Sequence, residues 1–203
     1  LGVITEVTVK ILKKPQTVKA ALIGFPSIED SGSCVSEIIS NGIVPAGMEI
    51  MDKALIEATD KFCKAGYPRN AEALLIVELD GTNSEVDELI KNVSEIAKKN
   101  NSSSIKLSKN EKERLSFWAG RKAAFPAMGA MAPDYYCMDG SIPRGKLAEV
   151  LKEIKRLSKE YNLPVANAFH AGDGNLHPLI MFDSNNKEQL RKIEEFGADI
   201  LKY

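Results

Sequence analysis

Histidine is nearly absent from this chain: His170 and His177 are the only two in 203 residues. Any chemistry that needs an imidazole near neutral pH is therefore confined to one short stretch. An excess of either charge is missing too. Lys and Arg number 27 against 28 Asp and Glu, and no basic block exceeds a Lys-Lys pair, so the electrostatic footprint of a nucleic-acid binder is lacking. A small molecule or another protein is the expected partner. Cysteine is scarce: Cys34, Cys63 and Cys137 are odd in number, far apart and in neither a Cys-x-x-Cys nor a metal-ribbon spacing. They read as free buried thiols in a reducing compartment, which makes the expected location cytoplasmic. Long apolar runs are absent as well. The long uncharged stretches, such as 38–48 and 123–133, carry Gly and Pro and are far too short to span a bilayer, and no signal peptide is visible. No internal repeat stands out, and the only low-complexity run is the polar segment 100–104.

What is present is a globular composition. With 44% hydrophobic residues, the chain can bury a full core as one large domain or two small ones. Strand-like and helix-like patterns alternate along it. The opening LGVITEVTVKIL alternates like a strand already under way, and the last helical pattern, with Leu190, Ile193, Ile200 and Leu201 on one face, stops without a capping Gly. Both ends are read as marks of a fragment. In between, 17–25 reads as a strand, Ser27 opens a helix that stops at Asn41-Gly42, and 43–51 is extended. Asp52 caps a helix bearing Leu55, Ala58, Thr59 and Phe62. A strand at 71–79, a helix from Asn83 or Ser84, a short strand at 103–107 and a helix from Asn110 that Pro126 ends or kinks follow. Then come an extended piece at 134–139, a helix after Pro143, strands at 165–170 and 176–182, and the last helix.

Pattern alone permits a doubly wound parallel sheet or an α+β sandwich. The short Asp173-Gly174 connection selects the second, because strands joined so tightly run antiparallel. The fold expected is α+β: an antiparallel sheet with helices mainly on one face.

Both histidines flank that connection, in FHAGDGNLH. Gly172 and Gly174 suit the positive backbone angles of a tight turn, and Asp173 and Asn175 suit bonding to their own backbone. A hairpin brings the flanking side chains together, so two neutral imidazoles can share a divalent ion such as zinc, iron or manganese. Two ligands alone make a poor site, and an ordinary Asp-Gly turn flanked by polar residues explains the same letters. Both readings stay open on local chemistry. A calcium loop needs more carboxylates, and a phosphate cradle needs a helix where 176–182 looks extended.

The stretches NAFHAGDGNLHPLIMFD, FWAGRKAAFPAMGAMAPDYYCMDGSIPRGKL and LGVITEVTVKILKKP resemble the FAD-linked oxidase family of D-2-hydroxyacid dehydrogenases, over essentially all 203 residues. The resemblance implies a two-domain flavoenzyme with a ferredoxin-like substrate domain. Residues 1–14 correspond to the terminal strand of the FAD-binding domain and 15–203 to most of the substrate domain. The implied reaction oxidises glycolate or D-lactate to the 2-oxoacid, with hydride passing to FAD. By motif, His170 and His177 take the metal, Arg121 in FWAGRK takes the substrate carboxylate, Asn175 orients ligand or substrate, and Gly2 and Val3 approach the flavin nucleotide. The family also draws a ligand and a catalytic histidine from a downstream Gly-Glu-His-Gly segment, which these 203 residues do not contain. No catalytic residue is therefore expected within the chain, and by itself it is expected to be inactive. Iron-sulfur and other oxidase subunits are the implied protein partners, with peripheral attachment to the membrane through them.

For Arg121 the plainer alternative is a solvated helix arginine. Arg144 is expected at the surface, and Phe117, Trp118 and Phe125 in core or pocket wall. For the chain as a whole, the competing reading is a stand-alone ferredoxin-like module that binds a metal or regulates without catalysis. A hydrolytic metalloenzyme is disfavoured because His-x6-His lacks the H-E-x-x-H helix.

Overall fold

The computed structural model describes residues 2–11 and 13–203. Its elements are β1 (Thr17–Phe25), α1 (Ile28–Ser40), β2 (Gly47–Asp52), α2 (Lys53–Cys63), β3 (Ala73–Gly81), α3 (Asn83–Lys99), β4 (Ser104–Leu107), α4 (Glu111–Lys122) and α5 (Ala124–Gly129). They continue with β5 (Asp134–Cys137), β6 (Gly140–Ser141), a 3-10 turn (Arg144–Lys146), α6 (Leu147–Tyr161), β7 (Val165–His170), β8 (Asn175–Phe182) and α7 (Lys187–Lys202). The strands form a single sheet in the order β4-β1-β3-β2-β7-β8-β5, with β6 also on β8. Every pairing is antiparallel. Its first half, β4-β1-β3-β2 with α1 and α3 packed on one face, is the ferredoxin-like arrangement.

Local chemistry sets the helix ends. Ser27 Oγ accepts from Asp30 N, and Asp52 Oδ1 accepts from Leu55 N, as the cap residues require. Thr82, one residue before the expected start, caps α3 through a full capping box with Glu85. Pro126 stands inside α5, so the helix of 111–122 breaks at Ala123 and resumes for one further turn or so.

The period-two alternation of the strands divides the core. Ile23, Phe25, Ile50, Val77 and Phe169 face α1, α3 and α6, whereas Leu22, Met51, Ile76, Ala168 and Leu179 face α2, α4 and α5. Each such fully buried Leu, Ile or Phe contributes about 1.5–3 kcal/mol. The long helices α1, α3, α6 and α7 share the first face, as expected. The second face is not bare: α2, α4 and α5 cover its middle, and what they leave open is where the polar residues gather.

Several expectations need correction. Residues 2–11 form no strand, and Val3, Ile4, Val7, Val9 and Ile11 are exposed, because no neighbouring strand lies beside them. Leu1 and Leu12 of that run lie outside the described residues. Only Cys34 is a buried thiol; Cys63 and Cys137 are free but exposed, at the end of α2 and on the edge strand β5. Phe62, Leu190 and Leu201 also stand at the surface; of the expected face of α7, Ile193 is buried and Ile200 packs against the core, joined by Phe196 and Gly197. Among the described residues no helix is long and apolar enough to cross a membrane.

Candidate functional site

The hairpin forms as its sequence suggests. β7 runs to His170, residues Ala171 to Gly174 turn the chain, and β8 starts at Asn175. Only Gly174 takes a positive φ, +78°, rather than both glycines. A Cβ there would stand 2.3 Å from the Ile142 carbonyl oxygen, so the position tolerates nothing larger than Gly. His170 O accepts from both Asp173 N and Gly174 N, while Gly172 N donates to Met48 O and ties the turn to β2. Asp173 Oδ1 accepts from Asn175 N as expected; the Asn175 amide is used differently, donating to Asp139 Oδ1 at 2.7 Å.

Register decides which side chains meet. His177 pairs with Ala168, two residues before His170, so the imidazoles are diagonal neighbours on one face. Their ring centres lie 5.1 Å apart, edge to face. Two imidazole nitrogens on one zinc at 2.0–2.1 Å, near the tetrahedral angle, also set ring centres about 5 Å apart. The donor chemistry and spacing therefore fit two-point coordination. Among the described residues no third His, Cys, Asp or Glu joins them in a group that would hold an ion. His170 has its side chain 45% exposed and His177 13%, so the pair opens outward through His170.

Across the ladder from His170 stands Glu49, its direct cross-strand partner. Glu49 is 9% exposed and spends both carboxylate oxygens: Oε1 lies 2.6 Å from His170 Nδ1, and Oε2 accepts from Arg121 Nε at 2.9 Å. Arg121, 9% exposed, is thus no solvated helix arginine. Its position is set from behind. Tyr67 Oη accepts from Arg121 N and donates to Phe117 O, and its ring lies where a Cβ on Gly120 would be, at 2.4 Å. Burial pushes the Tyr67 hydroxyl up to about 12. It therefore stays a neutral donor across the ordinary pH range. A hollow of about 350 Å³ opens beside this group, lined by Met48, Glu49, His170, Gly172, Asp173 and the exposed Arg144.

Other expected positions fall outside the cluster. Gly2 and Val3 are exposed, with nothing within 4 Å of a Cβ placed on Gly2. Phe117 is core and Trp118 packs against Gly47 while donating to Glu78, but Phe125 is 37% exposed beside Tyr135. Glu49, Tyr67 and Asp139 escape a motif search. Glu49 alone left a trace: a charge between Met48 and Ile50, inside an otherwise apolar stretch of the strand, is costly unless paired.

A family model described as the C-terminal domain of FAD linked oxidases matches residues 14–203. This chain belongs to that family. Among curated proteins it is 52% identical to the glycolate oxidase subunit GlcD of Escherichia coli K12, over 100% of this chain and 40% of that protein. It is 33% identical to a mitochondrial D-lactate dehydrogenase (cytochrome) of Arabidopsis thaliana, over 97% of this chain and 35% of that one. The chain thus spans about two fifths of the length of such relatives. Among solved structures, 4-ethylphenol oxidase from Gulosibacter chungangensis superposes with a TM-score of 0.67 at 11% identity, covering 94% of this chain and 44% of the other. An alkyldihydroxyacetonephosphate synthase gives 0.66 at 15%, covering 93% and 39%. At such identities the likeness bears out the α+β fold alone.

Proposed function

We propose that this FAD-linked oxidase domain supplies the substrate side of a flavin-dependent 2-hydroxyacid dehydrogenase or oxidase, acting on glycolate or D-lactate. One observation carries the reading: Arg121, Glu49, His170 and His177 gather on the open part of one sheet face. The names of the relatives at 52% and 33% identity supply the chemistry that such a cluster would serve. FAD, when bound by the rest of such a protein, accepts the hydride that leaves the hydroxyl-bearing carbon. Within this chain, Arg121 has its Nε committed to Glu49 and offers its terminal nitrogens to the substrate carboxylate, the bidentate use for which a guanidinium is suited. His170 and His177 are the residues that would hold a divalent zinc, iron or manganese ion. Asn175 acts at one remove, by holding Asp139 whose Oδ1 is 3.9 Å from His177 Nδ1. Gly2 and Val3, exposed and unpacked, are assigned to the flavin nucleotide on motif alone. Further oxidase subunits, an iron-sulfur protein among them, are the proposed partners, in keeping with the word subunit in the name of the Escherichia coli relative. A cytoplasmic location, with peripheral membrane attachment through those subunits, goes with that assignment.

The test grafts these 203 residues into the Escherichia coli subunit in place of its matching segment. Dye reduction is then followed with glycolate and D-lactate, and flavin absorbance reports folding. Turnover that Arg121→Lys weakens mainly through KM supports the reading; a flavin-loaded graft inert towards both acids sinks it.

A further inference from the structure

We infer that Glu49 is the positioning residue of this site: one carboxylate fixes the tautomer of His170 and the orientation of Arg121 together. The inference rests on the metal and carboxylate roles proposed above and adds the residue that links them.

An imidazole coordinates through a nitrogen that carries no proton, and which nitrogen that is depends on the hydrogen bond made by the other. Glu49 Oε1 stands 2.6 Å from His170 Nδ1. A carboxylate only accepts, so the proton belongs on Nδ1 and the lone pair on Nε2. The second oxygen works equally specifically. Oε2 takes the single Nε–H of Arg121 at 2.9 Å, and among the described residues no other side-chain hydrogen bond engages that guanidinium. Both terminal nitrogens are thereby left for an incoming anion, in a plane that Glu49 sets. Backbone constraints keep the carboxylate in place. Glu49 is paired with His170 on one side and with Ile76 on the other, so its strand is central and cannot slide without moving a whole face of the core. Arg121 in turn is pinned at its backbone, where its N–H donates to Tyr67 Oη.

The consequence is a coupled site. Glutamine at position 49 has the same shape but one accepting oxygen and one donating nitrogen. It satisfies either Arg121 or His170, never both in the present manner. If its oxygen goes to Arg121, its amide N–H faces Nδ1 and drives the proton to Nε2, which blocks coordination through that nitrogen. If its oxygen goes to His170, two donors face each other at Arg121 and the guanidinium turns away.

The experiment uses the 203-residue chain labelled with 15N, in which His170 and His177 give the only imidazole signals. Long-range 1H–15N correlation spectra report which ring nitrogen carries the proton, and zinc added alone reports coordination. The wild type is expected to show His170 as the Nδ1–H form, with zinc shifting Nε2. Glu49→Gln is expected to lose that tautomer and bind zinc about 10-fold to 100-fold more weakly, the range for loss of an outer-shell partner. His170 protonated on Nε2 in the wild type, or a Glu49→Gln spectrum and zinc affinity equal to wild type, overturns the inference. Because the wild-type tautomer needs no variant, the proposal remains open to refutation even where Glu49→Gln does not fold. A wild-type Nδ1–H tautomer with no zinc shift at either histidine refutes the metal reading instead, and leaves the placement of His170 by Glu49 intact.

Discussion

The hydroxyl of Tyr67 sits between Phe117 O and Arg121 N, two groups that an α-helix would ordinarily pair with each other. Bonded to both, it fixes the end of α4, and with it the root of the Arg121 side chain, to the segment after α2. Tyr67→Phe removes the bridge while keeping the buried ring. We expect a loss of about 1 kcal/mol of stability, the net worth of a typical hydrogen bond. Gly120→Ala is expected to cost more, about 1–3 kcal/mol, since its Cβ meets two ring carbons and the hydroxyl oxygen of Tyr67 at 2.4–2.7 Å. Urea unfolding of both variants checks the order; a Gly120→Ala protein as stable as wild type would mean that the ring is free to step aside.

Gly174 is the most constrained point of the hairpin. Alanine there combines a left-handed φ of +78° with a 2.3 Å approach to a backbone oxygen, and a backbone atom cannot rotate out of the way as a side chain can. Strain of this kind costs about 1–3 kcal/mol before the clash is counted. Gly174→Ala should therefore destabilise more than Gly172→Ala, where φ is not positive and only Met48 Cβ lies nearby at 3.6 Å. Comparing their melting temperatures decides between them, and equal values would refute the assignment.

Asp52 caps α2 at the wall of a cavity of about 520 Å³. Loss of water around its carboxyl pushes it up from 3.8 to about 6, against the hydrogen bonds from Leu55 N and Asn167 Nδ2 that favour the charged form. The folded state then holds a proton that the unfolded chain has already released between those two values. Stability consequently falls as pH rises from about 4 to about 6, by an amount on the order of 1–3 kcal/mol, and stays lower above. Asp52→Asn keeps a good capping residue and removes the titration. Its stability relative to wild type should rise between pH 4 and pH 7; a constant difference across that interval would refute the burial account.

Thr82→Ala removes the capping box of α3. The Glu85 carboxylate accepts from the Thr82 hydroxyl and backbone N–H, which hold it below its ordinary value, and Thr82 Oγ1 accepts in return from Glu85 N, so both halves of the box are formed. A loss of about 0.5–2 kcal/mol is expected, with Thr82→Ser recovering most of it. Thermal unfolding of the three proteins checks this.

Much of this architecture is local and therefore readable from the sequence. Ser27 and Asp52 announce helix starts because a short side chain must satisfy the first free N–H groups, and Asp173-Gly174 announces a hairpin because few residues turn a chain so tightly. The histidine pair, its shared face and the family resemblance follow from letters within single motifs. The opening run misleads for the same reason: Val3, Thr5, Val7 and Val9 alternate like a strand, but alternation states only which side chains share a face, not that a partner strand lies alongside.

Strand order, by contrast, is decided at long range. Glu49 reaches His170 because β2 pairs with β7 across 121 residues of chain, and Arg121 joins them because α4 packs on the same face of the sheet, 72 residues from Glu49. No periodicity encodes those neighbours. They follow from which order of strands buries both apolar faces at once, a free-energy balance taken over the whole molecule. The two histidines were thus written into one nine-residue stretch, whereas the carboxylate between His170 and Arg121 belongs to the site only once the sheet has assembled.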